Sequence, residues 1–217
     1  NKKVVFDFSS SPVRLETGAN EFSLMADIVG GSGDTADFQV RRAVDGQFID
    51  SNLMQTILVT GDFAGTADTI EGVDLSVTKS TASPSSSVAV DATNVKWASF
   101  EFRAIGDDLK VEQITVDVDD INTAGVDLDN GKVYLNGVQI GSTADISEDG
   151  TLFSFGSQMI LKKGTVAIVD VYSDAKDASG DSFASGSTFD FGVSVATADT
   201  EGVKSGDRLG TAVSEVE

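Results

Sequence analysis

The 217-residue sequence contains no cysteine and no histidine, and only two prolines, two tyrosines and one tryptophan. Without cysteine there is no disulfide framework and no thiol nucleophile. Without histidine there is no Ser-His-Asp triad, no imidazole base and no zinc site of Cys and His. Positive charge is scarce too: 15 Lys and Arg stand against 35 Asp and Glu, a formal net charge of −20. Nucleic-acid affinity rests on cationic side chains that neutralise phosphates, and an anionic membrane surface attracts the same side chains, so neither is an expected partner. Apolar runs are broken by Asp, Gly or Ser within about ten residues, so no direct membrane insertion by a helix is expected. Asn1-Lys2-Lys3 leads straight into a strand-like segment, and no signal peptide is read there. A chain without Cys or His, rich in Ser, Thr, Asp and Gly, fits an extracellular protein that needs no disulfides. Composition alone leaves an acidic cytosolic protein open.

What is present is alternation with a period of two. It runs through Val4–Phe8, Phe100–Ala104, Val111–Val118, Val166–Tyr172 and Phe189–Val195. Successive strand side chains point to opposite faces, so each segment can turn one face to a core and the other to water. The apolar positions are mostly Val, Ile and Phe, which suit a pleated, half-buried surface. Asn136-Gly137 between Val133-Tyr134-Leu135 and Val138-Gln139-Ile140 predicts a hairpin, because Asn-Gly accepts the positive φ of a type I′ turn. Asn130-Gly131 reads as a second tight turn, and Gly106-Asp107-Asp108 separates the strands at 98–104 and 109–118. Ser80-Thr81-Ala82-Ser83-Pro84-Ser85-Ser86-Ser87 reads as a linker or long loop between modules. The expected fold class is all-β, a sandwich or barrel of short antiparallel strands.

The chain also repeats itself. Val5-Phe6-Asp7-Phe8-Ser9 resembles Leu152-Phe153-Ser154-Phe155-Gly156, and Leu15-Glu16-Thr17-Gly18 resembles Leu161-Lys162-Lys163-Gly164. Phe22 to Asp27 resembles Val169 to Asp174, Ser32-Gly33-Asp34 resembles Ser179-Gly180-Asp181, and Gly61-Asp62 with Gly65-Thr66-Ala67 returns as Gly206-Asp207 with Gly210-Thr211-Ala212. The blocks keep their order at a spacing of 145–147 residues. Residues 1–70 therefore copy 148–217, whereas 71–147 have no copy: half a module precedes a whole one.

Ala98-Ser99-Phe100-Glu101-Phe102-Arg103-Ala104, then Gly106, Asp108-Leu109-Lys110-Val111 and Ile114-Thr115-Val116, resembles the opening strands of tandem Ig-like modules of large bacterial cell-surface and S-layer-type proteins. Lys132-Val133-Tyr134-Leu135-Asn136-Gly137 with Ile140-Gly141-Ser142-Thr143 is similar to their middle hairpin. Lys163-Gly164-Thr165 followed by Val171-Tyr172-Ser173-Asp174 is similar to a later segment. Leu161-Lys162-Lys163 stands where that family often has a proline. The resemblance implies Ig-like antiparallel β-sandwich modules in tandem: the C-terminal half of one, or a small β domain, at 1–70, and a complete one at 71–217. In that family a Ser/Pro-rich strand such as Ser80 to Val90 opens each module. It implies an extracellular surface role and carries no catalytic signature.

Acidic clusters are the remaining chemical signal. Asp27 and Asp34 recur in the repeat as Asp174 and Asp181, and loop carboxylates with backbone carbonyls are the usual shell of calcium. These four are the candidate calcium ligands, beside the plainer reading that Asp in β-loops makes Asx turns and keeps the surface soluble. Asp127-Leu128-Asp129-Asn130-Gly131 is not an EF-hand start, because its Gly is one place early and Val138 stands where a Glu is needed. A glycosidase needs two carboxyls in a cleft with a sugar platform, and the shortage of Trp and Tyr argues against both that and a sugar-binding module. Trp97, just ahead of an alternating strand, reads as core or inter-module packing.

Three roles follow as expectations. The first is a non-catalytic structural protein of the cell surface, self-assembling through its modules into an array. The second is a pilus or filament subunit with strands exchanged between protomers. The third is a carbohydrate- or protein-binding module of a secreted protein. The expected partners are other copies of the chain or adjacent modules of a longer one. Residues 1–70, as the second half of a sandwich, are expected to be completed either by upstream residues of a longer protein or by strands of a neighbouring copy.

Overall fold

The computed structural model describes residues 4–28, 34–40, 46–58, 63–120 and 125–217. No α-helix occurs among them, and the strands pair antiparallel throughout. The all-β expectation holds.

Three nested strand pairs come first: β1 (Thr35–Ala36) with β6 (Asp68–Thr69), β2 (Gln39–Val40) with β5 (Phe63–Ala64), and β3 (Gln47–Ile49) with β4 (Thr56–Leu58). From residue 74 onward the strands are longer. They are β7 (Asp74–Lys79), β8 (Val95–Ile105), β9 (Leu109–Asp120), β10 (Asp127–Leu135), β11 (Val138–Ser147), β12 (Thr151–Leu161), β13 (Val166–Ser173), β14 (Phe189–Val195), β15 (Thr200–Gly202) and β16 (Val213–Val216). One sheet has the order β11-β10-β13-β8-β7. The other has the order β12-β9-β14-β16, with β15 also paired to β9.

The inward side chains of both sheets merge in a single buried cluster. Phe100 and Phe102 come from β8, Val111, Ile114 and Val116 from β9, Phe153 from β12 and Phe191 from β14. Every buried member of that cluster lies between Val73 and Leu209. The alternation of β9 slips once: Leu109 and Val111 face the core, then Ile114, Val116 and Val118, so Glu112 and Gln113 together absorb one change of phase. Opposite that point the β12 register jumps between Ser154 and Met159, the extra residues forming a bulge. Trp97 packs at the rim of the core, its ring 5.5 Å from Phe189 and 5.7 Å from Phe191, and its Nε1 donates to Ser173 Oγ at 2.7 Å.

The turn chemistry divides. Asn136 and Gly137 both have positive φ, and Leu135 pairs with Val138 across them, so the predicted hairpin is present. The Gly106-Asp107-Asp108 turn joins β8 to β9 across the two sheets, with Gly106 at φ 85°. Asn130-Gly131 is not a turn. Both residues lie inside β10, where the pairing with β11 shifts on either side of Gly131 and Asn130 takes φ 57°. Asn tolerates the left-handed region, and a Cβ on residue 131 would run into the Ile146 side chain and the Ala144 carbonyl, so the dipeptide makes a bulge.

The Ser-rich stretch is not a linker between modules either. It follows β7 and returns the chain to β8 within one sheet. Ser80 donates its amide to the Ser99 carbonyl at 2.8 Å and its hydroxyl to Glu101 Oε1 at 3.1 Å, while Ser83 Oγ accepts from the Ser99 amide at 2.8 Å and bonds Glu217. Beneath it, Ser99 Oγ donates to Asp170 Oδ1 at 2.6 Å, and Lys96 Nζ reaches the same oxygen at 2.7 Å. The loop thus closes over β8 and satisfies polar groups that would be costly to bury alone.

Candidate functional site

The sequence proposed calcium ligands at two repeated loops. Asp174 lies just past β13. Its Oδ1 accepts from the Asn94 amide at 2.7 Å and its Oδ2 from Asn130 Nδ2 at 3.1 Å, so this carboxylate braces the β10 bulge. Asp181 donates its amide to Asp177 Oδ1 at 2.8 Å, and the Ser179 amide donates to the same oxygen at 2.9 Å. This is an Asx-type turn centred on Asp177. In the copy, Asp27 sits exposed in a segment without secondary structure, and the Asp34 carbonyl accepts from the Ile70 amide at 2.8 Å. Among the described residues no group of three or more acidic side chains is gathered as a metal ligand set. Residues 29–33, which hold the Ser32-Gly33 part of the repeat, lie outside the described residues, as do Gly61 and Asp62.

A cavity of about 280 Å3 lies next to this loop, lined by Asp120, Asp127, Asp177, Ser182, Ser187 and Phe183 among others. Among the described residues, carboxylates, hydroxyls and the apolar Val126, Phe183 and Ala184 line it, with no basic group to orient an anion. Elsewhere the acids act as backbone staples. Asp107 Oδ2 accepts from the amides of Lys204 and Ser205 at 2.8 and 2.9 Å, fastening the β8–β9 turn to the chain after β15. Burial pushes this carboxyl up, but the amides of Ser205, Lys204 and Asp108 outweigh it and hold it below its ordinary pKa. The Lys162 ammonium, at 2.8 Å, and the Lys163 amide lower Asp108 in the same way. Sequence reasoning saw the turn but not these staples, because their partners lie 54–98 residues away.

The most unusual surface belongs to Val4–Ile28. The alternating segment Val4–Phe8 is not a strand, and neither is the Phe22–Ile28 segment. Both are exposed over their length, although their repeat copies are strands of the core. Phe6 is 60% exposed where Phe153 is 2%, and Phe8 is 54% exposed where Phe155 is 4%. Val13, Leu15, Phe22 and Leu24 are likewise exposed, whereas Met159, Leu161, Val169 and Val171 are buried. The backbone shares one mark of the repeat: Gly18 and its copy Gly164 both have positive φ. In the copy, burial comes from partner strands, since β12 pairs with β9 and β13 pairs with β8 and β10. All three partners lie in 71–147. Apolar side chains exposed in this number are unusual.

No protein-family model and no curated protein matches the chain. The functional reading therefore rests on the two kinds of surface just described.

Repeat mates should respond differently to the same change. Phe153→Ala removes a buried ring and is expected to cost about 3–5 kcal/mol in denaturant unfolding. Phe6→Ala in the same chain should stay within about 0.5 kcal/mol, as surface substitutions do. Calcium binding at the Asp27/Asp34 and Asp174/Asp181 loops predicts a higher melting temperature in millimolar calcium than in chelator, because a ligand specific to the native state must stabilise it. Equal melting temperatures remove calcium from the account.

Proposed function

We propose that the chain is a non-catalytic structural protein of the cell surface that assembles through β-sandwich modules. Its resemblance to tandem Ig-like surface modules supports this reading, with 71–217 as the complete module and 1–70 as the second half of another. The observation that carries it is the exposure of Phe6, Phe8, Val13, Leu15, Phe22 and Leu24, whose repeat counterparts Phe153, Phe155, Met159, Leu161, Val169 and Val171 are buried. An enzyme or a soluble binding module gains nothing from such exposure, whereas an assembling one uses it. Exposed strand-forming segments with unpaired backbone groups are templates for another chain. The partners are other copies of the chain or adjacent modules, and a head-to-tail contact of this kind propagates into an array or filament rather than closing as a dimer.

The carbohydrate-binding alternative has less support. Trp97 is occupied by Phe189 and Phe191, and the rings of Tyr134 and Tyr172 pack against each other, tilted by 53° with centroids 4.7 Å apart, so no open aromatic platform is formed by these residues. Calcium belongs to the proposal only through the repeated Asp loops.

Analytical ultracentrifugation across concentration is the test, with the full chain beside residues 71–217, which carry every buried member of the core. The full chain is expected to self-associate as concentration rises while 71–217 stays monomeric. A full chain that is monomeric and cooperatively folded at all concentrations overturns the reading.

A further inference from the structure

We infer that Asn136-Gly137 is a site of self-modification, where the Gly137 nitrogen closes on the Asn136 side chain and converts it to aspartate or isoaspartate, while the same dipeptide at Asn130-Gly131 is shielded from this chemistry. An asparagine before glycine can cyclise because no Cβ hinders the approach of the glycine nitrogen. The Gly137 amide gives its proton to hydroxide, and its nitrogen bonds Asn136 Cγ. The Cγ–Nδ2 bond then breaks, Nδ2 takes a proton from water and leaves as ammonia, and a succinimide ring remains. A water molecule opens that ring. Attack at Cγ gives aspartate. Attack at the main-chain carbonyl gives isoaspartate, whose backbone runs through the former side chain. Water and hydroxide are the only co-reactants.

The hairpin tip supports each step. Asn136 and Gly137 are exposed, and nothing lies within 4 Å of the place a Cβ on Gly137 would take, so the turn has room to flex and close. Asn136 Oδ1 accepts from the Ile168 amide at 2.9 Å. Negative charge develops on this oxygen when Cγ is attacked, and a backbone N–H aimed at it acts as an oxyanion donor. The Asn136 amide donates to the Ile168 carbonyl at 2.8 Å, so β13 anchors the residue while the turn beyond it stays open. Asn130 differs at each of these points. Its Nδ2 donates to Asp129 Oδ2 at 2.8 Å and to Asp174 Oδ2 at 3.1 Å, and its amide donates to Asp145 Oδ1 at 3.1 Å. These carboxylates hold the leaving nitrogen in its amide and oppose both the anionic intermediate and a further negative charge at residue 130. Gly131 is buried against Ile146 and the Ala144 carbonyl. At the tip, by contrast, isoaspartate lengthens a turn whose two residues set the Leu135–Val138 register.

The test incubates the native full chain in mildly alkaline buffer and follows both dipeptides by proteolytic mapping with mass spectrometry, aspartate and isoaspartate being separated by chromatography. Asn136 is expected to convert faster than Asn130 by about tenfold or more. In denaturant, where only the local sequence acts, the two rates are expected to converge. In the variant Asp174→Asn, conversion at Asn130 should rise while that at Asn136 stays the same. Equal rates in the native chain, or a native ratio no different from the denatured one, overturn the inference. An Asp174→Asn chain in which Asn130 converts no faster overturns the shielding by carboxylates.

Discussion

The strand Leu109–Asp120 is the element on which the module depends. It pairs with β12 on one side, with β14 and β15 on the other, and sends Leu109, Val111, Ile114, Val116 and Val118 into the core. The rings of Phe153 and Phe191 are buried because their strands are hydrogen-bonded to β9. Dispersion and removal of apolar surface from water stabilise those rings, but only when a strand holds them against the other sheet. Phe6 and Phe8, the repeat counterparts of Phe153 and Phe155, form no strand pair and stay in solvent.

The polar groups follow from the same constraint. With a net charge of −20 the chain cannot neutralise its carboxylates with its own cations. It places many of them on backbone amides instead, as Asp107 does across the β8–β9 turn and Asp177 does in its own loop. An ionised carboxylate accepting amide hydrogens makes a stronger bond than a neutral pair. The acids thereby fasten loops that connect the two sheets. The Ser80–Ser87 loop does similar work with hydroxyls, over the outer side of β8.

Alternation and the Asn136-Gly137 turn made much of the 95–195 region legible, since strand period and positive φ are local properties. Asn130-Gly131 misled because the same two residues suit a turn or a bulge, and only the side chain of Ile146, on the neighbouring strand, decides between them. The Ser-rich stretch misled because low complexity says nothing of the Ser99 and Glu101 partners it meets. Val4–Phe8 misled in a third way. Its pattern shows which side chains could face a core, and no pattern shows whether a partner strand is there. The acidic loops were seen as metal candidates because residue type and repetition are visible in sequence, while the Asn94 and Asn130 donors that occupy Asp174 are not.

The central claim is that pairing with β8, β9 and β10 orders β12 and β13, and that their repeat counterparts in residues 4–28 are without such pairing. Amide hydrogen exchange on the full chain at a concentration where it is monomeric measures this directly, since protection reports the free energy of opening each segment. The account predicts slow exchange over Thr151–Leu161 and Val166–Ser173 and nearly unprotected amides over residues 4–28. Equal protection of the two repeat copies would contradict it.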